Sequence, residues 1–317
     1  MPYKYNESRR HKIDKPIYKV TNWKDYNNSL RKRGNFTIWL TGEAIAGWHP
    51  AKTGARGRPK KYSEHAIQTA LLLRQVYRLP LRQTQGLMTS LAVVLKVDIG
   101  IPDFSNVSKR GKILPRSVLT KAVQPGSHVI VDSTGLKVYG KDEWHREKHG
   151  VSARRTWRKL HLAVDENHNI IACELTTPDV GDPTAVPDLL GQLDSSFESF
   201  IADGAYDGDP VAQAVLAKQP DANVIVPPHI TAVFSEKGYT QRDQHIRDID
   251  QCGWMAWQNK TGYGLRNYAE LAMQRYKRIF GNTLKARALP QQKTEAWIGA
   301  LALNQMTALG MSVSVKI

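Results

Sequence analysis

The sequence is short of cysteine and of long hydrophobic runs. Its 317 residues include only two cysteines, Cys173 and Cys252, and neither has a second cysteine or a close pair of histidines nearby. This pattern predicts neither a disulfide framework nor a zinc site. There is no run of about 18 apolar residues that could span a membrane, and the first residues carry no apolar segment typical of a signal peptide. We therefore expect a cytoplasmic protein without a membrane partner.

Acidic residues are scarce in the first part of the chain. Residues 1–123 contain 24 Lys and Arg against 7 Asp and Glu, whereas the remaining residues contain 21 against 22. The whole excess behind the formal net charge of +16 therefore lies in the first part. A block this basic indicates a polyanionic partner, of which nucleic acid is the commonest. An acidic membrane surface is the alternative, but the block has no long amphipathic basic helix to support it.

Residues 1–62 are predicted to form a basic N-terminal arm and linker. We expect residues 1–20 to be poorly ordered and a short helix to follow. Glycine and proline keep residues 51–62 from forming regular structure, and Arg56 and Arg58 give this linker positive charge. An extended Arg-Gly-Arg-Pro segment can lie in a narrow minor groove, and it resembles the core of an AT-hook. A solvated basic linker has the same composition, so both interpretations stay open.

Residues 63–123 are predicted to form a helix-turn-helix DNA-binding domain. Ser63 is placed to cap the first of three short helices, and Ser105 to cap the third. The third helix carries Lys109 and Arg110, and a recognition helix presents such residues to DNA. The alternative is a plain helical bundle. The local charge favours DNA binding.

From about residue 124 the pattern changes to apolar strands and helices in alternation. A strand that begins at His128 is followed by a hairpin and then by alternating helices and strands up to residue 310. This order predicts the α/β class, with a mixed sheet flanked by helices. Within residues 124–310, residues 229–262 are expected to form a small insert over the site, with one short helix. Residues 311–317 are treated as a tail.

Three acidic residues are candidates for a metal site. Asp132 and Asp203 each follow an apolar strand, and strand ends in α/β sheets are where ligand sites gather. If the two strands are neighbours, the two acids lie close together, and Glu270 can approach from a helix packed over them. Three converging carboxylates repel one another unless divalent cations neutralise them. Two Mg²⁺ ions there would activate a water molecule and stabilise a leaving 3′ oxygen.

Glu270 shares one stripe of a predicted helix with three other functional candidates. The helix covers residues 263–280, and helical periodicity places Tyr263, Arg266 and Lys277 on the same flank as Glu270. A carboxylate on such a stripe can bind a metal while the Arg and Lys meet phosphate oxygens. The alternative is a helix edge with two solvated cations and one solvated acid.

A further group of basic residues lies between the first strand and the hairpin. Arg154, Arg155, Arg158 and Lys159 surround Trp157. Basic and aromatic residues together often line a nucleic-acid channel, through phosphate contacts and stacking. A solvated loop is the alternative interpretation.

Four features of the sequence carry a family resemblance. They are Asp132-Ser-Thr-Gly-Leu-Lys, Trp157-Arg-Lys-Leu-His-Leu-Ala-Val-Asp, Asp203-Gly-Ala-Tyr-Asp, and the spacing of Tyr263, Arg266, Glu270 and Lys277. Together they resemble the DDE transposases of bacterial insertion sequences, in the group numbered five. That group is known for a tyrosine, an arginine, a glutamate and a lysine with two, three and six residues between them. All four are present here, and the resemblance covers residues 60–310.

The resemblance implies a fold, a reaction and a partner. It implies a ribonuclease-H-like catalytic domain in which Asp132, Asp203 and Glu270 hold two Mg²⁺ ions, with Mn²⁺ able to substitute. Such enzymes bind the terminal inverted repeats of their element, cleave the DNA ends and join the freed 3′ hydroxyls to target DNA. By matching position, Arg266 and Lys277 would hold phosphates. Tyr263 would help to place the DNA end. A homodimer on double-stranded DNA, at the nucleoid of a bacterial cytoplasm, is also implied.

Two other functions stay open on the sequence alone. A DNA-binding regulator descended from such an enzyme would use residues 1–123 only, although it would have no reason to keep three acids. A metal-dependent DNA nuclease without strand transfer would use the same metal site.

Overall fold

The computed structural model describes residues 17–51, 59–116, 127–138, 157–236 and 240–317. Four of the predicted DNA contacts lie outside the described residues, namely Arg56, Arg58, Arg154 and Arg155. The three acidic candidates all lie within them.

Eight strands occur in the described residues. They are β1 (Tyr18–Val20), β2 (His128–Val138), β3 (Trp157–Val164), β4 (Ile170–Thr176), β5 (Ser199–Ile201), β6 (Asn223–Ile225), β7 (Thr283–Leu284) and β8 (Ser314–Lys316). The main sheet has the order β4-β3-β2-β5-β6, and β7 pairs with the far end of β2. Neighbours among β2, β3 and β4 are antiparallel, whereas neighbours among β2, β5 and β6 are parallel. The sheet is therefore mixed, with β2 at its centre.

Twelve α-helices occur in the same residues. They are α1 (Trp23–Arg33), α2 (Phe36–Trp39), α3 (Gly42–Ala46), α4 (Glu64–Val76), α5 (Leu81–Val94), α6 (Phe104–Gly111), α7 (Val186–Leu190), α8 (Asp209–Lys218), α9 (Gln241–Cys252), α10 (Trp254–Thr261), α11 (Asn267–Phe280) and α12 (Leu289–Ala308). Short 3₁₀ turns cover Pro183–Ala185, Gly204–Tyr206 and Tyr263–Arg266. None of these described helices has both the length and the apolar composition needed to cross a membrane.

Helices cover both faces of the main sheet. On one face, Ile130, Leu160 and Leu162 belong to a hydrophobic core shared with α4, α11 and α12. On the other face, Val129 and Val131 belong to a core shared with α7 and α8. We call these the α11 face and the α7 face. Because successive residues of a strand point to opposite sides, β2 contributes to both cores in alternation. The predicted α/β class, with a mixed sheet flanked by helices, is confirmed. The ribonuclease-H-like character that the resemblance implies stays a prediction.

The three helices predicted after residue 62 are present as α4, α5 and α6. Ser63 caps α4 as predicted, since its hydroxyl accepts the N–H of Ala66 at 3.0 Å. The predicted cap of α6 is wrong: Asp103 precedes this helix, and its carboxylate accepts the N–H of Ser105 at 2.8 Å. All three helices contribute to the core that contains α11 and α12. Their function as a helix-turn-helix and the proposed domain boundaries stay predictions.

The two ends of the described chain meet in a small sheet. β1 and β8 are antiparallel, with Tyr18 opposite Lys316, and the N–H of Thr21 donates to the carbonyl of Val313 at 2.9 Å. The prediction of a poorly ordered arm is therefore wrong for residues 18–20, because their backbone groups pair with the predicted tail.

Two other predicted elements differ in extent. The sequence predicts a strand that ends near Asp132, but β2 continues to Val138 because β3 pairs with it as far as Lys137. The insert at residues 229–262 contains two helices, α9 and α10, where the sequence predicts one.

A close contact between α11 and α12 leads to a first prediction. Gly299 of α12 lies against Tyr276 of α11, and a Cβ atom at position 299 would come within 2.5 Å of the tyrosine ring. Both residues are buried. We predict that Gly299→Ala lowers the free energy of unfolding by about 1–3 kcal/mol, as overpacking of a core does. Urea denaturation measures this change.

Gly86→Ala in α5 is the matched control. A Cβ atom there would meet nothing within 4 Å, and alanine is favoured over glycine in a helix by up to about 1 kcal/mol. This variant is expected to leave the free energy of unfolding unchanged or to raise it. If both variants had the same effect, the close contact would not limit the packing of α11 on α12.

Candidate active site

Asp132 and Asp203 lie on neighbouring parallel strands and on the same face of the sheet. Ile130 of β2 is opposite Ile201 of β5, and both isoleucines belong to the core of the α11 face. Each acid follows its isoleucine by two positions, and Asp203 keeps an extended backbone, with φ −79° and ψ 174°. The alternation of side chains therefore points both carboxylates to the α11 face. Asp132 lies inside β2, opposite Leu162, and not beyond the end of a strand as predicted.

Glu270 reaches the same place from α11. The sequence predicts one continuous helix over residues 263–280, but the structure has a 3₁₀ turn over residues 263–266 before α11 begins. Gly262 precedes this turn with φ 70°, a left-handed conformation that glycine adopts at little cost. Glu270 lies in the first turn of α11, which packs on β2 and β3. The structure thus brings the three predicted acids together on one face of the sheet.

The guanidinium group of Arg266 lies among the acids. It donates a hydrogen bond to the carboxylate of Glu270, and one of its nitrogens lies 3.9 Å from a carboxylate oxygen of Asp203. The Arg266 side chain is only 18% exposed, and its Nε is buried without a hydrogen-bond partner in the described structure. A single cation therefore neutralises acids that come from different parts of the chain.

Asp132 has a perturbed acidity. Burial raises the pKa of its carboxyl group above the usual range, and the charges of Asp203 and Glu270 add to the rise. The N–H of Ser133, which donates to the Asp132 carboxylate at 2.8 Å, and the charge of Arg266 oppose the rise without cancelling it. A carboxyl group that is buried beside like charges behaves in this way, and such groups are concentrated at functional sites.

Tyr263 belongs to an aromatic cluster beside the acids. Its ring centroid lies 5.1 Å from that of Trp257 and 6.0 Å from that of Trp254. Both tryptophans come from α10, so the insert packs against the turn that carries Arg266. Burial raises the pKa of Tyr263 to about 12. The phenol therefore keeps its proton at neutral pH and remains a hydrogen-bond donor.

Sequence reasoning missed a fourth acid near Asp132. The hydroxyl of Ser133 donates to a carboxylate oxygen of Asp182 at 2.9 Å, and the other oxygen of Asp182 lies 2.9 Å from Nζ of Lys159. Asp182 stands in a Gly-Asp-Pro sequence between β4 and α7, which is a turn signal. That signal predicts a turn, but it does not indicate that the Asp182 carboxylate bonds to Ser133 of β2.

The predicted DNA contacts differ in their protein partners. Lys109 is exposed in the last turn of α6, and Lys277 is half-buried on α11, two turns after Glu270. Three other predicted contacts bond within the protein: Arg110 with the carbonyl of Tyr62, Arg158 with Gln292 and the carbonyl of Trp157, and Lys159 with Asp182 and the carbonyl of Val180. These bonds give the three residues structural roles that the sequence did not predict.

The chemistry of the three acids fits a divalent cation. Carboxylate oxygens are the hard ligands that Mg²⁺ and Mn²⁺ prefer, and Asp132, Asp203 and Glu270 supply them together. As the side chains stand, no three His, Cys, Asp or Glu residues within the described ranges are grouped to hold a metal ion. Arg266 supplies the positive charge instead. Its position shows that a cation is accepted among these acids.

Two family models match the chain, and both describe a transposase DDE domain. One matches residues 124–305, which is more than half of the chain and contains all three acids. The other matches residues 31–141.

Two solved structures show weaker similarity. A cryo-EM structure of the piggyBac transposase synaptic complex with hairpin DNA is 12% identical, with a TM-score of 0.37 over 85% of this chain and 73% of that chain. A strand transfer complex of the Drosophila P element transposase is 10% identical, with a TM-score of 0.29 over 88% of this chain and 85% of that chain. Likenesses at these TM-scores are too weak to identify site residues.

The position of Arg266 leads to a second prediction. Removing its charge leaves three carboxylates without a cation, so Arg266→Met is expected to lower the free energy of unfolding by about 1–2 kcal/mol in EDTA at neutral pH. This value lies between those of exposed and buried ion pairs. The loss should shrink as salt is added, since salt screens the repulsion between the acids. Denaturant unfolding at low and high ionic strength measures both effects.

Lys60→Met provides the matched comparison. Lys60 also pairs with a glutamate four residues away, Glu64 at 3.3 Å, but its side chain is 64% exposed. Removing it is expected to cost less than about 0.5 kcal/mol. Equal losses for the two variants would mean that Arg266 forms an ordinary surface ion pair.

Proposed function

The chain belongs to the DDE transposase family, and on that premise we propose that it binds the terminal inverted repeats of an insertion sequence, cleaves the DNA ends and joins their 3′ hydroxyls to target DNA. Enzymes of this family use divalent metal ions. In this chain the ions are two Mg²⁺, with Mn²⁺ as a substitute, and the ligands are Asp132, Asp203 and Glu270. The partner is double-stranded DNA, and a homodimer holds two DNA ends together.

One observation carries the proposal. Three acids from β2, from the end of β5 and from α11 lie together on one face of the sheet, around the guanidinium group of Arg266. A binding-only protein has no need for such repulsion between like charges. Metal-dependent phosphoryl transfer does need such a cluster of acids, because converging carboxylates can hold the divalent cations that the reaction uses.

The residues beside the acids have separate tasks. Asp132, Asp203 and Glu270 would hold the divalent ions, which would supply an activated water molecule and positive charge for a leaving oxygen. Arg266 and Lys277 provide positive charge for phosphate oxygens. A guanidinium group binds carboxylate and phosphate with the same fork of donors, so Arg266 can exchange an acid for a phosphate without losing hydrogen bonds. Tyr263 keeps its proton and donates a hydrogen bond at the DNA end.

The N-terminal helices hold the duplex. The excess of basic residues lies in residues 1–123, and α6 presents Lys109 to solvent. Arg56, Arg58, Arg154 and Arg155 add positive charge in segments outside the described residues. Phosphate contacts of this kind supply affinity that is independent of sequence and sensitive to salt.

Replacing Glu270 tests the reaction. Glu270→Gln removes one charged metal ligand, so the activation barrier for cleavage of inverted-repeat DNA in Mg²⁺ or Mn²⁺ should rise by several kcal/mol. The cleavage rate should therefore fall by a factor on the order of 10³ or more. DNA binding should persist. Gel-shift and cleavage assays on the same preparation measure the two properties. Wild-type protein that yields hydrolysed ends without joined product would indicate a nuclease and not a transposase.

Glu64→Gln is the matched control for this experiment. Glu64 also lies in the first turn of its helix, also has a cation partner four residues away, and is 49% exposed, as Glu270 is. Cleavage per bound DNA molecule should be unchanged in this variant. Normal cleavage by the Glu270 variant would refute the assignment of the three acids.

The N-terminal helices give a second test of the proposal. Lys109→Ala should weaken DNA binding and lower the slope of log affinity against log salt by about one unit, because one phosphate contact is lost. Its thermal stability should not change. Arg110→Ala should instead lower stability, since Arg110 bonds to the carbonyl of Tyr62. Fluorescence anisotropy over a range of salt concentrations measures the slope.

Lys218→Ala controls for loss of an exposed lysine in the last turn of a helix. Lys218 ends α8, which packs on the α7 face of the sheet. DNA affinity and salt slope should stay at the wild-type values in this variant. An unchanged slope for the Lys109 variant would exclude α6 from the DNA interface.

A further inference from the structure

A polar cluster lies directly behind Asp132, on the α7 face of the sheet. Ser133 follows Asp132 in β2 and therefore points to the opposite face. His161 of β3 is opposite Ser133 in the strand register, and Lys159 lies on the same face two residues earlier. Asp182 reaches this group from the connection between β4 and α7. The cluster and the candidate metal ligands are thus separated only by the thickness of one strand.

Ser133 connects the two sides. Its backbone N–H donates to the Asp132 carboxylate at 2.8 Å, whereas its hydroxyl donates to Asp182 at 2.9 Å. The first bond orients the Asp132 carboxylate. The second fixes the residue that makes the first bond. Asp182 is therefore linked to Asp132 through one residue.

Asp182 is itself held firmly. Nζ of Lys159 lies 2.9 Å from one of its carboxylate oxygens and also donates to the carbonyl of Val180 at 2.8 Å. The side chains of Lys159 and Asp182 are only 18% and 21% exposed, so water competes weakly for these bonds. Burial acts to raise the pKa of Asp182, but the bonds from Lys159 and Ser133 outweigh it, and the pKa is lowered. The carboxylate is charged at neutral pH and remains an acceptor for both partners.

Tyr206 lies beside the cluster. This residue is buried, three positions after Asp203, and the charges of Asp182, Asp132 and Asp203 all reach its hydroxyl. An ion pair whose only task was to hold a surface turn would not need to lie against the strand that carries Asp132.

We propose that Asp182 is a positioning residue, which holds the Asp132 carboxylate through Ser133 in the orientation that metal binding requires. This inference rests on the proposed function, because it assigns Asp182 to the support of the same three acids. Ser133 bonds to the candidate ligand Asp132, and replacing such outer residues of a metal site typically changes metal affinity by about 10–100-fold. Asp182 acts one bond further out, through the Ser133 hydroxyl.

The test measures Mn²⁺ binding by electron paramagnetic resonance on the full chain bound to inverted-repeat DNA. Asp182→Ala and Ser133→Ala are each expected to weaken Mn²⁺ binding by about 10–100-fold. The double variant should be no weaker than Asp182→Ala alone, because both changes break one path. Asp182→Asn keeps an acceptor for the Ser133 hydroxyl and should recover part of the affinity. Ser133→Ala removes only a hydroxyl and serves if the Asp182 variants do not fold.

Asp248→Ala is the matched control. Asp248 also pairs with a lysine, Lys260 at 2.8 Å, and accepts a second hydrogen bond, from Gln244 at 2.9 Å, in the insert. Its loss should leave Mn²⁺ affinity unchanged, whatever its effect on the melting temperature. Equal Mn²⁺ affinity in the Asp248, Asp182 and Ser133 variants would overturn the inference, as would additive effects of Ser133→Ala and Asp182→Ala.

The proposed function fails in a different way. If it is wrong, the wild-type protein shows no Mn²⁺ binding that Glu270→Gln removes, and the inference falls with it. If it is right and only the inference is wrong, Glu270→Gln removes Mn²⁺ binding whereas the Asp182 and Ser133 variants keep it. A second measurement needs no metal ion. Hydrogen exchange of the Ser133 amide should be faster in Asp182→Ala than in wild type, because its bond to Asp132 is loosened.

Discussion

Three carboxylates on one face of a sheet repel one another unless a cation lies among them, and this requirement governs the arrangement around Asp132. Arg266 meets it in the structure by bonding to Glu270 and approaching Asp203. Arg266 and Glu270 are four residues apart across the junction of a 3₁₀ turn and α11. Both junction residues, Arg266 and Asn267, keep helical dihedral angles, so the turn runs directly into α11 and the cation stays within reach of the acid four residues later.

The position of α11 depends in turn on the core behind it. α11 packs on β2, on β3 and on the neighbouring helix α12, where Tyr276 lies against Gly299. α12 is attached to β4 by Asn304, whose side chain bonds both backbone groups of Ile170 at 2.8 Å. Because the N-terminal helix α4 packs on α12 as well, one core links the basic part of the chain to the acids. A displacement of α12 would move Glu270 relative to β2.

Local pattern predicted most of the helices and strands, although it placed the cap of α6 at Ser105 and not at Asp103. Apolar alternation predicted the hairpin of β3 and β4, and a serine before an apolar helix predicted the cap of α4. The family resemblance indicated the three acids and the ribonuclease-H-like class. Pairing between distant segments was not predictable, since no local signal specifies a partner. The continuation of β2 past Asp132 depends on β3, the order of residues 18–20 depends on β8, and Asp182 meets Ser133 across 49 positions.

The period of two in a strand explains how the site and its support can be neighbours in sequence. Asp132 points to the α11 face and faces the other acids, whereas Ser133 points to the α7 face and faces Asp182. A shift of one residue in the register of β2 would exchange the two faces. The acid would then face Lys159, and the serine would face Arg266. The long pairing of β2 with β3, from Ile130 to Lys137, resists such a shift. The ladder that extends β2 beyond its predicted end therefore also keeps the Asp132 carboxylate on the α11 face, where Glu270 lies.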